Sequence, residues 1–285
     1  MQRKNRILSL LDFSEYSEKI LRCSKSFSTY LQAEVLLIHQ LPNIVTARAS
    51  ASVREQVYKA EREDAFERLS ELSGSMFETT LPMIASQEDL TETLSNLKNN
   101  AYFDWLLVGL KGKSFLEQVF LGSKAVAVLD QTSFVTIAFP LAKEICFPEE
   151  LVVALHADDT INSEQLKAVV AQLPGALRKI TFVTEMNSED QRDSVASALS
   201  RLKAEFEAMA PAEVMIRGGD VQKELERYLQ DKAQSFLLVQ ESDPLRHDSV
   251  FKRGLINELV YRSTVPMIIL PHIAKERGGG EATTM

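Results

Sequence analysis

Short apolar runs alternate with helical patterns along the whole chain, and the alternation runs through twice. In the first pass, Ile7–Leu11, Val35–His39, Phe77–Ile84, Trp105–Val108 and Phe134–Phe139 read as strands. Between them, Phe13, Tyr16, Ile20, Cys23, Phe27 and Leu31 recur at the 3–4-residue spacing of an amphipathic helix. Val53, Val57, Ala60, Leu69 and Leu72 predict a long helix ending near Gly74, Leu90, Leu94 and Leu97 a short one, and Val126–Leu129 part of another. The second pass places strands at Leu151–Leu155, Ile180–Thr184, Val214–Ile216, Phe236–Val239 and Met267–Leu270. Its cleanest helical stripe is Val195, Leu199, Leu202, Phe206 and Met209. Each pass is βαβαβαβαβ, a pattern that calls for right-handed crossovers and a parallel sheet covered on both faces.

The chain of 285 residues is long enough for two such units. The expected architecture is therefore α/β, with two tandem doubly wound five-stranded parallel-sheet domains over residues 1–142 and 149–272. Residues 140–148, bounded by Pro140 and Pro148, form the linker, and 273–285 is expected to be a disordered tail. An ungapped offset of 132 superposes Leu107 on Val239, Gly122 on Gly254, Thr132 on Thr264 and Ile137 on Ile269, as a duplication would.

Composition narrows the function classes. Net charge is −8, with −2 in residues 1–140 and −6 in the remainder, so a basic nucleic-acid footprint is absent. No run of about 18 apolar residues is present to span a membrane. Two scattered cysteines make neither a disulfide framework nor a metal cluster. Cys23 falls on a helical apolar face and is expected to pack as a small hydrophobe. These features predict a cytoplasmic protein.

The segment with most chemical content is Val108-Gly109-Leu110-Lys111-Gly112-Lys113-Ser114, followed after Leu121 by Gly122-Ser123-Lys124. It leaves the fourth strand and opens a helix. Gly109 and Gly112 let backbone approach a phosphate, a helix start favours an anion, and Ser123 offers a hydroxyl. From spacing alone, a phosphate cradle and a plain structural turn both remain open.

The spacing Gly109-x2-Gly112-x9-Gly122-Ser123 resembles the loop of ATP-binding universal stress proteins. Leu10-Leu11-Asp12-Phe13-Ser14, Leu36-Leu37-Ile38-His39 and Asp104-Trp105-Leu106-Leu107-Val108 resemble the first, second and fourth strands of that family. The resemblance implies a regulatory stress-response protein, not an enzyme beyond slow ATP hydrolysis. It implies ATP, or the related ADP or AMP, with or without magnesium. Asp12 would hold the adenine end, Gly109 and Gly112 would face ribose and phosphates, and Gly122 and Ser123 would grip the phosphates. It also implies that the two halves pack as an internal pseudo-dimer through their last strands, a homodimer of whole chains being open as well.

Gln40 stands where the family has Val, Ala125 replaces a hydroxyl residue, and the fifth strand lacks the usual proline that the second half keeps as Pro266. At the offset of 132, Gly109 becomes Glu241, Lys111 becomes Asp243, Gly112 becomes Pro244 and Ser123 becomes Leu255. That substitution pattern predicts one nucleotide per chain, in the first half. His156, Asp158, Asp159, Glu241, Asp243, His247 and Asp248 could instead gather round a hard cation or simply be solvated. Asp220 reads as a helix N-cap. A nucleotide-free protein-interaction scaffold of the same fold is the alternative function, with partners unspecified. No His-x-Gly-His motif, P-loop or nucleophile elbow marks an enzyme.

Overall fold

A computed structural model describes residues 3–42, 49–110, 134–141, 144–155, 161–173, 175–186, 192–217, 221–230, 232, 234–240 and 265–271. Gly112, Gly122, Ser123, the acidic loops of the second half, Asp220 and the tail lie outside the described residues.

The strands of the first half are β1 (Lys4–Leu10), β2 (Glu34–Gln40), β3 (Met83–Ser86), β4 (Tyr102–Gly109) and β5 (Val135–Phe139). Those of the second half are β6 (Glu150–Leu155), β7 (Lys179–Met186), β8 (Ala212–Arg217), β9 (Ser235–Gln240) and β10 (Met267–Leu270). The described helices are α1 (Tyr16–Leu31), α2 (Ala51–Gly74), α3 (Leu90–Leu97), α4 (Ser163–Gln172), α5 (Arg192–Glu205) and α6 (Val221–Gln230). All ten strands join one sheet in the order β3-β2-β1-β4-β5-β10-β9-β6-β7-β8. Every neighbouring pair is parallel except β5 with β10, which is antiparallel.

Nearly continuous apolar strands such as Phe236-Leu237-Leu238-Val239 suit a sheet buried on both faces. One face, carrying Ile7, Trp105, Leu107, Ile137, Leu238 and Ile268, packs against α1 through Ile20 and Phe27, α4 through Leu166 and Val169, and α5 through Val195 and Leu199. The other, carrying Leu8, Leu106, Val108, Leu237 and Ile269, packs against α3 through Leu94 and α6 through Leu225.

The joint between β5 and β10 has a telling register. Ile137 lies opposite Ile268, flanked by Ala138 opposite Met267 and Thr136 opposite Ile269. A two-fold through the central pair relates Ile137 to Ile268, an offset of 131. Burial agrees, because Trp105 and Leu107 share their face with Phe236 and Leu238, again 131 apart, while Val239 lies on the other. The offset of 132 is therefore one residue out of phase along these strands. Side chains alternate faces with period two, so a slip of one puts each residue on the wrong side. The strand-end counterpart of Gly109 is consequently Gln240, not Glu241.

Two other expectations are revised. Residues 77–82 are not strand, and β3 begins only after Pro82, whose carbonyl accepts from Leu37 N at 3.0 Å. Proline lacks the ladder N–H and constrains the residue before it, which shortens the strand. The long helix ends at Gly74 as its spacing predicts; in α2 the buried residues are Ala65, Leu69 and Ser73, and Val53 is 46% exposed. Finally, Cys23 packs in the core as expected, but it is also bonded to Cys146, with Cα atoms 5.0 Å apart, so the two cysteines are not separate thiols. The thiol argument for a cytoplasmic protein therefore falls away, since disulfides persist chiefly in oxidising surroundings.

At the amino ends of the central strands lie two partly buried charge clusters. The Arg6 guanidinium holds Asp104 through Nε at 2.6 Å and Nη2 at 3.1 Å. Glu150 accepts from Thr181 at 2.6 Å and Ser235 at 3.3 Å, and pairs with Lys179 at 3.3 Å and Lys232 at 3.2 Å. No described helix is long and apolar enough to cross a membrane.

Candidate functional site

In a doubly wound sheet the ligand crevice lies outside the carboxyl ends of the strands where the order reverses. In the first half that place is between β1 and β4, because β2 and β3 continue to one side and β5 to the other. Asp12 follows β1 and Gly109 closes β4, so the fold brings these two predicted residues to the same crevice. The rest of the predicted loop departs from Gly109 and Leu110.

The turn after β1 is tightly determined. Leu11 N donates to Ile38 O at 2.9 Å, and His39 Nδ1 donates to Leu11 O at 2.8 Å. Asp12 Oδ1 accepts from Ser14 N at 3.0 Å and from the Ser14 hydroxyl. Asp12 thus shapes the turn with one oxygen and leaves Oδ2 without a hydrogen bond among the described residues. It does not cap α1 directly; Ser14 Oγ accepts from Tyr16 N at 3.3 Å.

Phe13 takes φ = 58°, a left-handed conformation that costs a non-glycine residue about 1–2 kcal/mol. Its ring is held from two sides: the His39 ring lies 4.2 Å from it and the Arg68 guanidinium 3.9 Å above it. Burial pushes the His39 pKa down, against the upward pull of its bond to Leu11 O, so the neutral imidazole is the form that fits. Gln40 is tied back by Nε2 to Ser86 O at 3.2 Å and Glu88 O at 2.7 Å.

Gly109 has a local reason to be glycine. A Cβ there would meet Tyr16 Cγ and Cδ1 at 2.7 Å and Tyr16 Cβ at 2.8 Å. Tyr16, the first residue of α1, is 4% exposed, and its ring covers the end of β4. The cradle a glycine leaves open is thus filled by the chain's own tyrosine at this position. Asp12 Oδ2, at the switch point, has no hydrogen-bond partner among the described residues. Tyr16 was visible in the sequence only as one member of an apolar stripe.

Beside the turn, a groove of about 640 Å³ runs between the start of α1 and the end of α2. Glu15 and Glu18 line it from the start of α1, and Arg68 and Glu71 line it from α2. Three carboxylates against one guanidinium disfavour a polyphosphate there, so the groove does not extend the predicted phosphate path.

The second half treats the equivalent place differently. Gln240 closes β9, and its Oε1 accepts from Asn162 N at 2.6 Å. Asn162 is the N-cap of α4 and accepts from Gln165 N at 3.0 Å. An amide side chain therefore bridges β9 to the first helix of its half. Among the described residues no group of His, Cys, Asp or Glu could hold a metal ion.

No protein-family model matches the chain, and no curated protein matches it. Solved structures do. A universal stress protein from Archaeoglobus fulgidus superposes with TM-score 0.64 at 12% identity, covering 95% of this chain and 99% of that one. A functionally unknown protein from Pseudomonas aeruginosa gives 0.58 at 9% identity, covering 94% and 92%. The cytoplasmic domain of a prokaryotic cation chloride cotransporter gives 0.51 at 10% identity, covering 95% and 96%. At such identities the likeness is one of fold: a mostly parallel α/β sheet shared with universal stress proteins.

Proposed function

We propose that this chain is a stress-response protein of the universal stress type that binds one adenine nucleotide at the switch point of its first half. The observation that carries the reading is Asp12 at the switch point just beyond the carboxyl end of β1, its Oδ2 without a hydrogen bond among the described residues. A carboxylate oxygen so placed can accept from an amino or hydroxyl group of an adenine nucleoside. Gly112, Gly122 and Ser123 would then supply backbone donors and a hydroxyl to the phosphates, with or without magnesium. The role is regulatory, not catalytic.

In this reading the chain is an internal pseudo-dimer of two wound five-stranded domains. The register about Ile137 and Ile268 supports it, because a two-fold requires residue i to meet j and j to meet i. The second domain has lost its ligand. Gln240 stands in the place of Gly109 and ties itself to Asn162, so loss begins with an uncharged amide at the strand end.

The alternative, a nucleotide-free interaction scaffold, draws support from Tyr16, which accounts for Gly109 without any ligand. One experiment separates the two. Purified protein is denatured and the released small molecules are identified by chromatography and mass, then nucleotide-free protein is titrated calorimetrically with ATP, ADP and AMP. Saturable binding near one per chain supports the first reading; no retained nucleotide and no heat of binding supports the second.

A further inference from the structure

The segment that joins the halves is strapped to α1. Cys146 is bonded to Cys23 across a sequence separation of 123. Phe147 stacks on Phe27 with ring centroids 4.2 Å apart and lies 4.8 Å from the Tyr30 ring. Glu144 pairs with Arg22. The two sulfurs are not equally accessible: Cys23 is 1% exposed, whereas Cys146 is half-buried.

One turn before Cys23, on the same buried face of α1, stands Lys19. It is 4% exposed, and its Nζ has no hydrogen-bond partner among the described residues. A buried ammonium without a partner is strongly penalised. Burial pulls its pKa down, opposed by Glu144 and aided by Arg22. Residues i and i+4 of a helix are surface neighbours, so an anion at Cys23 would give Lys19 the partner it lacks. In the disulfide form no such anion exists.

We propose that Cys23–Cys146 is a thiol–disulfide exchange site for a small thiol of the glutathione class, with Lys19 as the positioning residue that receives Cys23 as a thiolate. The thiolate of the incoming molecule attacks Sγ of Cys146, the accessible sulfur. A mixed disulfide forms on Cys146, the protein S–S bond breaks, and its electron pair leaves on Cys23 Sγ beside the Lys19 ammonium. A second small thiolate attacks the small-molecule sulfur of the mixed disulfide. Cys146 departs as a thiolate, and the two small thiols leave joined as their disulfide. The protons shed by the two small thiols are taken up by the protein sulfurs. Exchange is faster when the leaving sulfur is the more stable thiolate, which is what Lys19 provides. Once the bond is open, residues 144–148 are held by the Phe147 contacts with Phe27 and Tyr30, by Ile145 against the core and by an exposed ion pair, and such pairs hold little on their own.

The test uses the full oxidised chain and reduced glutathione. Acid-quenched samples are digested and the mixed disulfide located by mass. The adduct is expected on the Cys146 peptide; an adduct on Cys23 overturns the assignment. Opening rates are then compared for wild type, Lys19→Met and Lys19→Arg. If Lys19 stabilises the leaving thiolate, the Met variant opens about tenfold more slowly, and Arg restores most of the rate. In concentrated urea all three should open at one rate. Equal rates in native buffer remove Lys19 from the process. Air-equilibrated wild type with two titratable thiols, or a disulfide that opens only under denaturant, overturns the site itself.

Discussion

Replacing Gly109 by alanine tests why that glycine is there. The added Cβ falls 2.7–2.8 Å from three Tyr16 atoms, closer than real Cβ contacts come. Tyr16 Cβ is among the three, so the clash cannot be relieved by turning the ring; α1 or the end of β4 must move. Overpacking of this kind costs about 1–3 kcal/mol. The backbone of Gly109 is not in the left-handed region, so alanine is conformationally allowed there. A double-mutant cycle isolates the contact. Gly109→Ala should lower the urea-unfolding free energy by about 2 kcal/mol in the wild-type background. In a Tyr16→Gly background the same change should be neutral or stabilise by about 0.4–1 kcal/mol, since alanine restricts the unfolded chain. The coupling free energy is then about 2–3 kcal/mol, well above the additivity error of distant sites. An effect of Gly109→Ala that is equal in both backgrounds, or absent in wild type, refutes the assignment of this glycine to Tyr16 packing.

Other outcomes follow from the same structure. Gly122→Val should abolish nucleotide binding measured by calorimetry, and Ser123→Ala should weaken it about tenfold, the scale of one lost hydrogen bond. Stoichiometry in the full chain should be one nucleotide, with chelator present; two bound nucleotides would contradict the role given to Gln240. Cys23→Ser should lower stability by up to about 5 kcal/mol on the chain-entropy relation for a long loop, read from the shift in urea midpoint against oxidised wild type. Glu150 sits below the ordinary carboxylate range: burial pushes it up, but the Thr181 and Lys232 hydrogen bonds and the Lys232 and Lys179 charges outweigh that. A carboxylate whose folded pKa is depressed stabilises the fold above its unfolded value near 4.3 and loses this as pH falls through the folded value. Glu150→Gln should therefore flatten the acid limb of a stability–pH curve, with little change in its slope above pH 6.

The strand and helix succession was legible because apolar periodicity is a local property, and most strands lie within two or three residues of their expected bounds. What escaped was non-local. Sequence similarity at offset 132 looked continuous, but strand faces are set by which side of the sheet a residue packs against. That requires Trp105 and Phe236 to be seen on one face. The apolar residues of the early part of α2 predict burial that the packing does not supply, as Val53 shows. Cys23 and Cys146 are far apart in sequence and only the folded chain brings them together. Asp12 stood out in the sequence at the end of the first strand, but the turn it shapes, the strained Phe13 and the Tyr16 ring over Gly109 depend on His39, Arg68 and β4, elements that no local pattern joins.

The antiparallel joint at the centre of the sheet also sets a timetable for synthesis. β5 ends at Phe139, and its partner β10 begins only at Met267. At roughly 5–20 residues per second, the ribosome takes about 6–25 s to deliver the second strand after the first is complete. During that interval the nascent first half presents Val135–Phe139, fully apolar but for Thr136, as an unsatisfied strand edge. On a crowded polysome the nearest matching edge belongs to the next nascent copy, and the register about Ile137 is one that two identical strands can share. A chain released early should therefore emerge as a dimer, held by the contact that the finished molecule makes with itself.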